Sequence, residues 1–475
     1  MSTPFSKTKI VATVGPSSNT KQKLLELMVA GVDVFRLNFS HGTHEDHKKV
    51  IEHIKELRKT FNKNVSILQD LQGPKIRIGQ IEEGQIELVE GEELVITTED
   101  IIGKKGIVST TYTTLVKDVK AGDTILLDDG KIELKVFKVE GPQIHTHVVI
   151  GGILKPRKGM NLPDTDISEP SLTKKDKKDL EFGLEHGVDW IAISFVRSPA
   201  DIIELKNIIN EHKNRAKVVA KIERPEALRH IDEIVEVSDA LMVARGDLGI
   251  EIQMEDVPMY QKQIVSKCNE ASKPVIIATQ MMESMIENPR PTRAEANDVA
   301  NAVIDGADAV MLSAETASGK YPLQTIQHMS AIVRSVEQQA DIYHKYYKDE
   351  KGDADFGSKV VINSAVHLTE LTNANAIIGM TNSGFTAFQI AKHRPLANIF
   401  IFTSNRPLLN TLNLVWGVRA FYYNKQESTD QTFADVEEIL VKEGLLRKGD
   451  VYINVASMPL KAKKKTNTVK FTVVE

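Results

Sequence analysis

The sequence predicts an α/β protein: a (β/α)8, or TIM, barrel carrying an inserted small β-barrel lid domain, followed by a C-terminal α/β domain. Three observations predict it. Eight strand-like runs alternate with eight helix-like stretches between residues 9 and 339, the pattern of parallel strands joined by crossover helices. Polar and charged residues gather at the C-terminal end of almost every run, the end where this architecture keeps its chemistry. The alternation breaks once, between Leu71 and about Thr165, in a stretch rich in Val, Ile, Gly, Asp and Lys.

Taken in order, the strand-like runs are Lys9–Gly15, Val34–Ser40, Val65–Leu71, Trp190–Val196, Lys217–Glu223, Ala240–Asp247, Pro274–Gln280 and Ala309–Ala314. Helical spacing fills Thr20–Ala30, Glu45–Phe61, Thr173–His186, Pro199–Glu211, Pro225–Val237, Val257–Ala271, Arg293–Asp305 and Pro322–Gln339. The interrupting stretch has turn signals at Glu90-Gly91, Ala121-Gly122-Asp123 and Asp129-Gly130, so it reads as an all-β module. It leaves after strand three, at the rim where the polar residues gather. That position suits a lid that excludes water; the plainer alternative is a tolerated surface insertion. Lys345–Gly357 is polar and reads as a linker. From Ser358 onward helices and strands alternate again. The boundaries drawn are 1–71 and 166–345 for the barrel, 72–165 for the lid and 346–475 for the last domain.

The chemistry centres on Val218–Ile250, a strand–helix–strand unit whose parallel strand tips share one rim. Lys221 and Glu223 close the first strand, and Arg245 and Asp247 close the second. Two carboxylates with few other ligands suit a magnesium ion that keeps room for water and substrate phosphate. Lys221 lies two residues before Glu223 and so faces the same way. Gly246 and Gly249 leave backbone N–H groups open to an anion. With Arg36 as a second cation, this set points to phosphoryl or enolate chemistry. Thr279 reads either as a contact for a small carboxylate or as a satisfied strand-end hydroxyl. Thr381-Asn382-Ser383-Gly384, with Thr386 beyond it, follows a strand and opens a helix. That turn reads first as a helix cap and second as a phosphate-binding turn.

Bulk properties narrow the class. The 475 residues suffice for about three domains. A formal net charge of −5 argues against bulk binding to nucleic acid or membranes. No apolar run reaches membrane-spanning length, and the N-terminus shows no signal-peptide pattern. The lone cysteine, Cys268, excludes a disulfide framework, fits a cytoplasmic location and reads as a buried structural thiol.

Several longer motifs carry a family resemblance: FRLNFSHGTHEDH, DLQGPKIRIG, KGMNLPD, SFVRSP, KIERPEAL, MVARGDLGIEI, KPVIIATQMMESM, PTRAEANDVANAVIDGADAVMLSAETASGKYP and TNSGFTAFQIAKHRP. In order and spacing, from about residue 8 to the end, the chain resembles the pyruvate kinase family. The resemblance implies transfer of the phosphoryl group of phosphoenolpyruvate to ADP, followed by protonation of enolpyruvate to pyruvate in glycolysis. It implies that Lys221 and Arg36 contact the phosphoryl group and that Glu223 and Asp247 hold Mg2+. Gly246, Asp247 and Thr279 would hold the substrate carboxylate, while Thr279 and Ser313 support a water-borne proton relay. Arg77 and Lys158 would contact nucleotide phosphates, and Pro16, Asn38 and His41 would line the nucleotide side. An allosteric C-terminal domain and a homotetramer are also implied.

The chain departs from the family in two places. Potassium-requiring members hold the ion with positions matching Asn38, Ser40, Asp70 and the Leu71 carbonyl, and carry Glu where this chain has Lys75, with Thr and Lys at Leu71 and Gln72. The lysine resembles the potassium-independent branch, since a tethered ammonium can replace a monovalent cation; its alternative is a solvated surface lysine. Near the end, Met458–Thr466 replaces a glycine-rich loop. Its lysines, Lys461, Lys463, Lys464 and Lys465, either attract a phosphorylated effector, a sugar phosphate or a nucleotide, or form a solvated face. Two other functions fit the rim alone: a magnesium-dependent aldolase or lyase, and a catalytically silent metabolite sensor.

Overall fold

The computed structural model describes residues 5–348, 352–425, 428–458 and 465–475. Eight strands close into one parallel ring: β1 (Lys9–Val14), β2 (Val34–Asn38), β3 (Ser66–Asp70), β4 (Trp190–Ile193), β5 (Lys217–Ile222), β6 (Ala240–Ala244), β7 (Val275–Ala278) and β8 (Ala309–Leu312). They pair in chain order, and β1 closes against both β2 and β8. Each strand stops short of its predicted end, because its last polar residues turn off the sheet to form the rim.

Local sequence explains where the helices start. Thr43, Thr173 and Thr292 each cap a helix while an acidic residue three positions on reaches back to the cap backbone. Pro199, Pro225 and Pro322 occupy first-turn positions, where the missing N–H costs nothing. Two expectations are corrected. The stretch Pro225–Val237 is two helices, Pro225–Arg229 and Ile231–Val237, meeting at His230. Arg245–Glu251 is a short helix rather than the tail of β6, so Asp247 sits in a helical first turn.

The lid, expected as a small β-barrel, is a six-stranded sheet with a two-stranded ribbon, Ile86–Leu88 and Gly152–Leu154. Both wrap one apolar core that includes Ile78, Leu94, Ile125, Leu134 and Leu154. The C-terminal sheet contains β9 (Ala376–Met380), β10 (Asn398–Thr403), β11 (Val418–Tyr422), β12 (Val451–Ala456) and β13 (Thr468–Val473), in the order β11-β10-β9-β12-β13. Its first four strands are parallel and β13 is antiparallel. Lys461, Lys463 and Lys464 lie outside the described residues, and Lys465 within them.

The barrel is filled, not hollow. Val11, Val34, Leu68, Trp190, Val219, Met242, Ile276 and Met311 pack inside it, and Leu414 of the C-terminal part joins them from below. The Trp190 indole N–H donates to the Thr411 carbonyl at 3.2 Å. The C-terminal part therefore plugs the N-terminal mouth, leaving the other mouth for the site. Among the described residues no helix is long and apolar enough to cross a membrane. Cys268 is a free, buried thiol.

Candidate active site

Strand parity builds the site. Side chains two residues apart share a face, so the residue two beyond each interior apolar side chain also points along the barrel axis. Val11 leads to Thr13, Val34 to Arg36, Leu68 to Asp70, Ala192 to Ser194, Val219 to Lys221 and Met311 to Ser313. A polar layer thus caps an apolar one.

Charges in that layer are paired. Lys221 Nζ lies 2.8 Å from Glu223 Oε1 and 3.3 Å from Asp70 Oδ1, and donates to Ser194 Oγ at 2.7 Å. Arg36 Nε donates to Asp70 Oδ2 at 2.7 Å, and its Nη1 to Thr13 Oγ1 at 2.9 Å. All four charged groups are buried. Two cations and two carboxylates compensate one another, the condition for keeping charge out of water. Burial alone would push the Lys221 pKa down. Asp70 and Glu223 outweigh it and raise it, so the ammonium stays charged. Asp70 is likewise pushed up by burial, but Lys221 and Arg36 hold it below the usual carboxylate range. Glu223 is raised, by burial first; Lys221 opposes the shift and the charge of Asp247 adds to it.

That last effect bears on a metal. Burial and a second carboxylate both disfavour charge on Glu223, and a divalent cation relieves both penalties. Among the described residues no cluster of three or more metal-type side chains occurs. Glu223 and Asp247, two carboxylates, would fit a magnesium ion that takes its remaining ligands from water and substrate.

Thr279, at the end of β7, has φ +69°, and Gln280 has φ +54°. Left-handed backbone at non-glycine residues is strained and persists only where neighbours impose it. Arg245 imposes it here. Its guanidinium grips both Asp298 oxygens at 2.6 Å and donates to the Thr279 carbonyl at 2.8 Å. The Thr279 hydroxyl accepts from the Gly246 N–H at 2.7 Å. This corrects the expectation of an open N–H at Gly246: a half-buried donor takes the acceptor beside it. Gly249 lies within the helix Arg245–Glu251. Ser313 is half-buried at the end of β8, and its N–H donates to Glu315 Oε2 at 2.7 Å.

The expected nucleotide residues sit around this core. Pro16 and His41 are exposed on the loops after β1 and β2. Arg77 and Gly159 face one another across an antiparallel bridge of the lid, and Lys158, the residue before Gly159, pairs with Asp128 at 2.7 Å. Asn38 Oδ1 accepts from the Ser40 N–H at 3.1 Å, and the Leu71 carbonyl accepts from Ser194 Oγ at 2.7 Å. With Asp70 taken by Arg36 and Lys221, three of the four groups expected around a monovalent ion have protein partners. Lys75 Nζ lies 3.8 Å from Asp247 Oδ1.

In the C-terminal part, Thr381, Asn382, Ser383 and Thr386 line an open cleft together with Ser404 and Lys465. The cap reading is corrected: Gly384, with φ +95°, is itself the N-cap of the helix Phe385–Lys392 and no side chain caps it, while the Gly384 N–H donates to Thr381 Oγ1 at 3.0 Å within the preceding turn. Sequence reading gave no role to Thr13, Ser194 or Arg245. Parity marked the first two; nothing local marked Arg245, whose partners Thr279 and Asp298 are 34 and 53 positions away.

Comparison with known proteins identifies the family. Residues 5–326 match the family model of the pyruvate kinase barrel domain, and residues 359–472 that of the pyruvate kinase alpha/beta domain. A pyruvate kinase of Geobacillus stearothermophilus is 44% identical over 474 residues, 98% of this chain and 80% of that one. One from Corynebacterium glutamicum is 44% identical over 466 residues, 98% of this chain and 96% of the relative. A crystal structure of a pyruvate kinase from Cryptosporidium parvum superposes with a TM-score of 0.93 at 37% identity, covering 99% of this chain and 96% of that chain.

Proposed function

The chain belongs to the pyruvate kinase family, a phosphotransferase acting on phosphoenolpyruvate and ADP, and from that premise we propose how its own residues carry the reaction. The observation that supports the reading is the buried Lys221 ammonium, 2.8 Å from Glu223 and 3.3 Å from Asp70, with Arg36 on the far side of Asp70. Phosphoryl transfer needs fixed positive charge beside oxygens whose charge shifts in flight. Lys221 and Arg36 supply it. Both are held by carboxylates before substrate arrives, so little reorganisation is needed at the transition state.

Phosphoenolpyruvate binds by its phosphate to Arg36 and Lys221, and by its carboxylate to the Asp247 backbone and, once it displaces the Gly246–Thr279 hydrogen bond, to the Gly246 N–H and the Thr279 hydroxyl. Glu223 and Asp247 hold Mg2+, which adds charge neutralisation at the phosphoryl oxygens. A β-phosphate oxygen of ADP attacks phosphorus, the bond to the enol oxygen breaks, and ATP and enolpyruvate result. Thr279 and Ser313 hold the water that delivers a proton to the enolate carbon, giving pyruvate. Arg77 and Lys158, with Pro16, Asn38 and His41, hold the nucleotide, and the lid shuts water out.

Potassium is not required in this reading. Lys75, already beside Asp247, supplies the monovalent charge in place of an ion among Asn38, Ser40, Asp70 and Leu71. The hydroxyl-lined cleft at Thr381, Asn382, Ser383, Gly384 and Thr386 takes a phosphorylated effector, a sugar phosphate or a nucleotide. The working form is a cytoplasmic homotetramer serving glycolysis.

A coupled assay with phosphoenolpyruvate, ADP and Mg2+ tests the reaction: pyruvate forms with all three and not without Mg2+. An aldolase or a silent sensor gives no ADP-dependent pyruvate. Repeating it in a bulky organic cation salt, free of potassium and sodium, tests Lys75. Full activity is expected, and strong stimulation by added potassium refutes that role.

A further inference from the structure

We propose that Arg224 is a positioning residue for the nucleotide half of the reaction, acting as a clamp between the lid's return hinge and the barrel strand that carries Glu223. This rests on reading Arg77 and Lys158 as lid contacts of ADP. Arg224 follows Glu223 directly at the top of β5 and is only 3% exposed. A buried guanidinium must find carboxylates or carbonyls for its donors. Nη1 donates to Glu251 Oε1 at 2.9 Å. Nε and Nη2 reach the two Glu226 oxygens at 3.3 and 3.2 Å. Nη2 also reaches the carbonyls of Thr165 and Leu162 at 3.2 and 3.5 Å.

Those two carbonyls belong to the segment by which the chain re-enters the barrel from the lid. Glu251 ends the short helix that begins near Asp247. Its Oε1 also accepts from Asn161 Nδ2, at 2.7 Å, on the lid's last strand. Glu251 Oε2 is buried with no hydrogen-bond partner among the described residues, so both donors meet at a single oxygen. One guanidinium and one carboxylate oxygen thus join three pieces: the loop after the metal carboxylate Glu223, the helix carrying Asp247, and the lid's return strand. Between them lies a narrow cleft lined by Lys75, Asn161, Arg224, Asp247 and Glu251.

The lid already rests on this corner. A Cβ built on Gly130 of the lid would lie 3.8 Å from Ile250 Cγ2. Arg197 holds the far end of the hinge through the Ile167 carbonyl, so removing Arg224 frees only the end nearest Lys158. In the proposed reading phosphoenolpyruvate is held by barrel residues alone, whereas ADP is held by barrel and lid together. Loosening the clamp therefore acts on the nucleotide side. A planar fork serves several acceptors at once and an ammonium does not, so lysine is not an adequate replacement.

The test is steady-state kinetics of Arg224→Met, Arg224→Lys and Asn161→Ala in the full-length protein. Each is expected to raise the KM for ADP, roughly tenfold for the arginine variants and less for Asn161→Ala, with the KM for phosphoenolpyruvate within about twofold of the parent. Equal rises in both KM values, or an unchanged KM for ADP, overturn the clamp. If the arginine variants do not fold, Asn161→Ala decides alone, since it removes only the lid's half of the joint. Lys158→Met separates the two readings. If it raises the KM for ADP while the clamp variants do not, the clamp falls and the lid reading stands. If it too leaves that KM unchanged, the lid reading falls and the clamp with it.

Discussion

At the residue scale, Lys221 is expected to act as a charge and Ser194 as the group that aims it. Lys221→Met removes a transition-state cation and should lower kcat by about 10²–10³-fold. From the sequence, Lys221 reads as a rim residue whose loss leaves folding nearly intact. The structure shows it buried between Glu223 and Asp70, so its removal strands a carboxylate and should also cost about 3–5 kcal/mol of stability. Circular dichroism and a melting curve establish that the variant is folded before its kcat is read; a variant keeping half its kcat ends the central role of Lys221. Ser194→Ala leaves the charges in place and should lower kcat far less. Lys221 is legible in the sequence because it lies two residues before a carboxylate at a strand tip. For Ser194 strand parity marks only the face: its partners Lys221 and the Leu71 carbonyl lie 27 and 123 positions away, so its role is not legible.

At the element scale, one carboxylate beneath β5 and β6 ties the start of both strands together. Asp239 accepts from the Val218 N–H at 3.0 Å and pairs with Lys217 and Lys206, both at 3.1 Å. Burial pushes its pKa up, but the two lysines and that N–H outweigh burial and hold it below its ordinary value of 3.8. The unfolded chain therefore takes up the proton first on acidification. The stabilisation is complete above the ordinary value and disappears as pH falls through the lower folded value. Asp239→Asn should cost about 1–3 kcal/mol at pH 7, and the gap in Tm between variant and parent should close as pH falls below the ordinary aspartate range. A gap independent of pH would show that the charge is irrelevant. At this scale the sequence is a good guide, since apolar runs, threonine caps and first-turn prolines locate nearly every element. It fails where an element's end depends on distant partners. Arg245–Asp247 reads as strand, yet Arg245 is drawn into a helix start facing Asp298 and Thr279.

At the scale of the whole molecule, the C-terminal part is fastened to the mouth of the barrel opposite the site. Arg394, with φ +48°, grips both Asp308 oxygens at 3.0 and 3.1 Å and reaches Asn269 Oδ1 and the Gly306 carbonyl at 2.7 Å. Asp308 lies immediately before β8. Arg394→Ala leaves its carboxylate buried without its cation, and should destabilise by about 3–5 kcal/mol in denaturant unfolding. Adding Asp308→Ala should cost little more, because the stranded charge is gone; fully additive losses would show that the pair is not coupled. The hydrophobic pattern and residue spacing determined the strand count, the inserted lid, the second α/β sheet and the rim as the place of chemistry, since periodicity and turn chemistry are local properties of the chain. Only the tertiary structure decided which charges neutralise one another, that the Gly246 N–H is taken by Thr279, that Lys75 sits against Asp247, and that Arg224 ties lid to barrel. Those are contacts between segments tens to hundreds of residues apart, and linear spacing carries no record of which distant groups burial forces to meet.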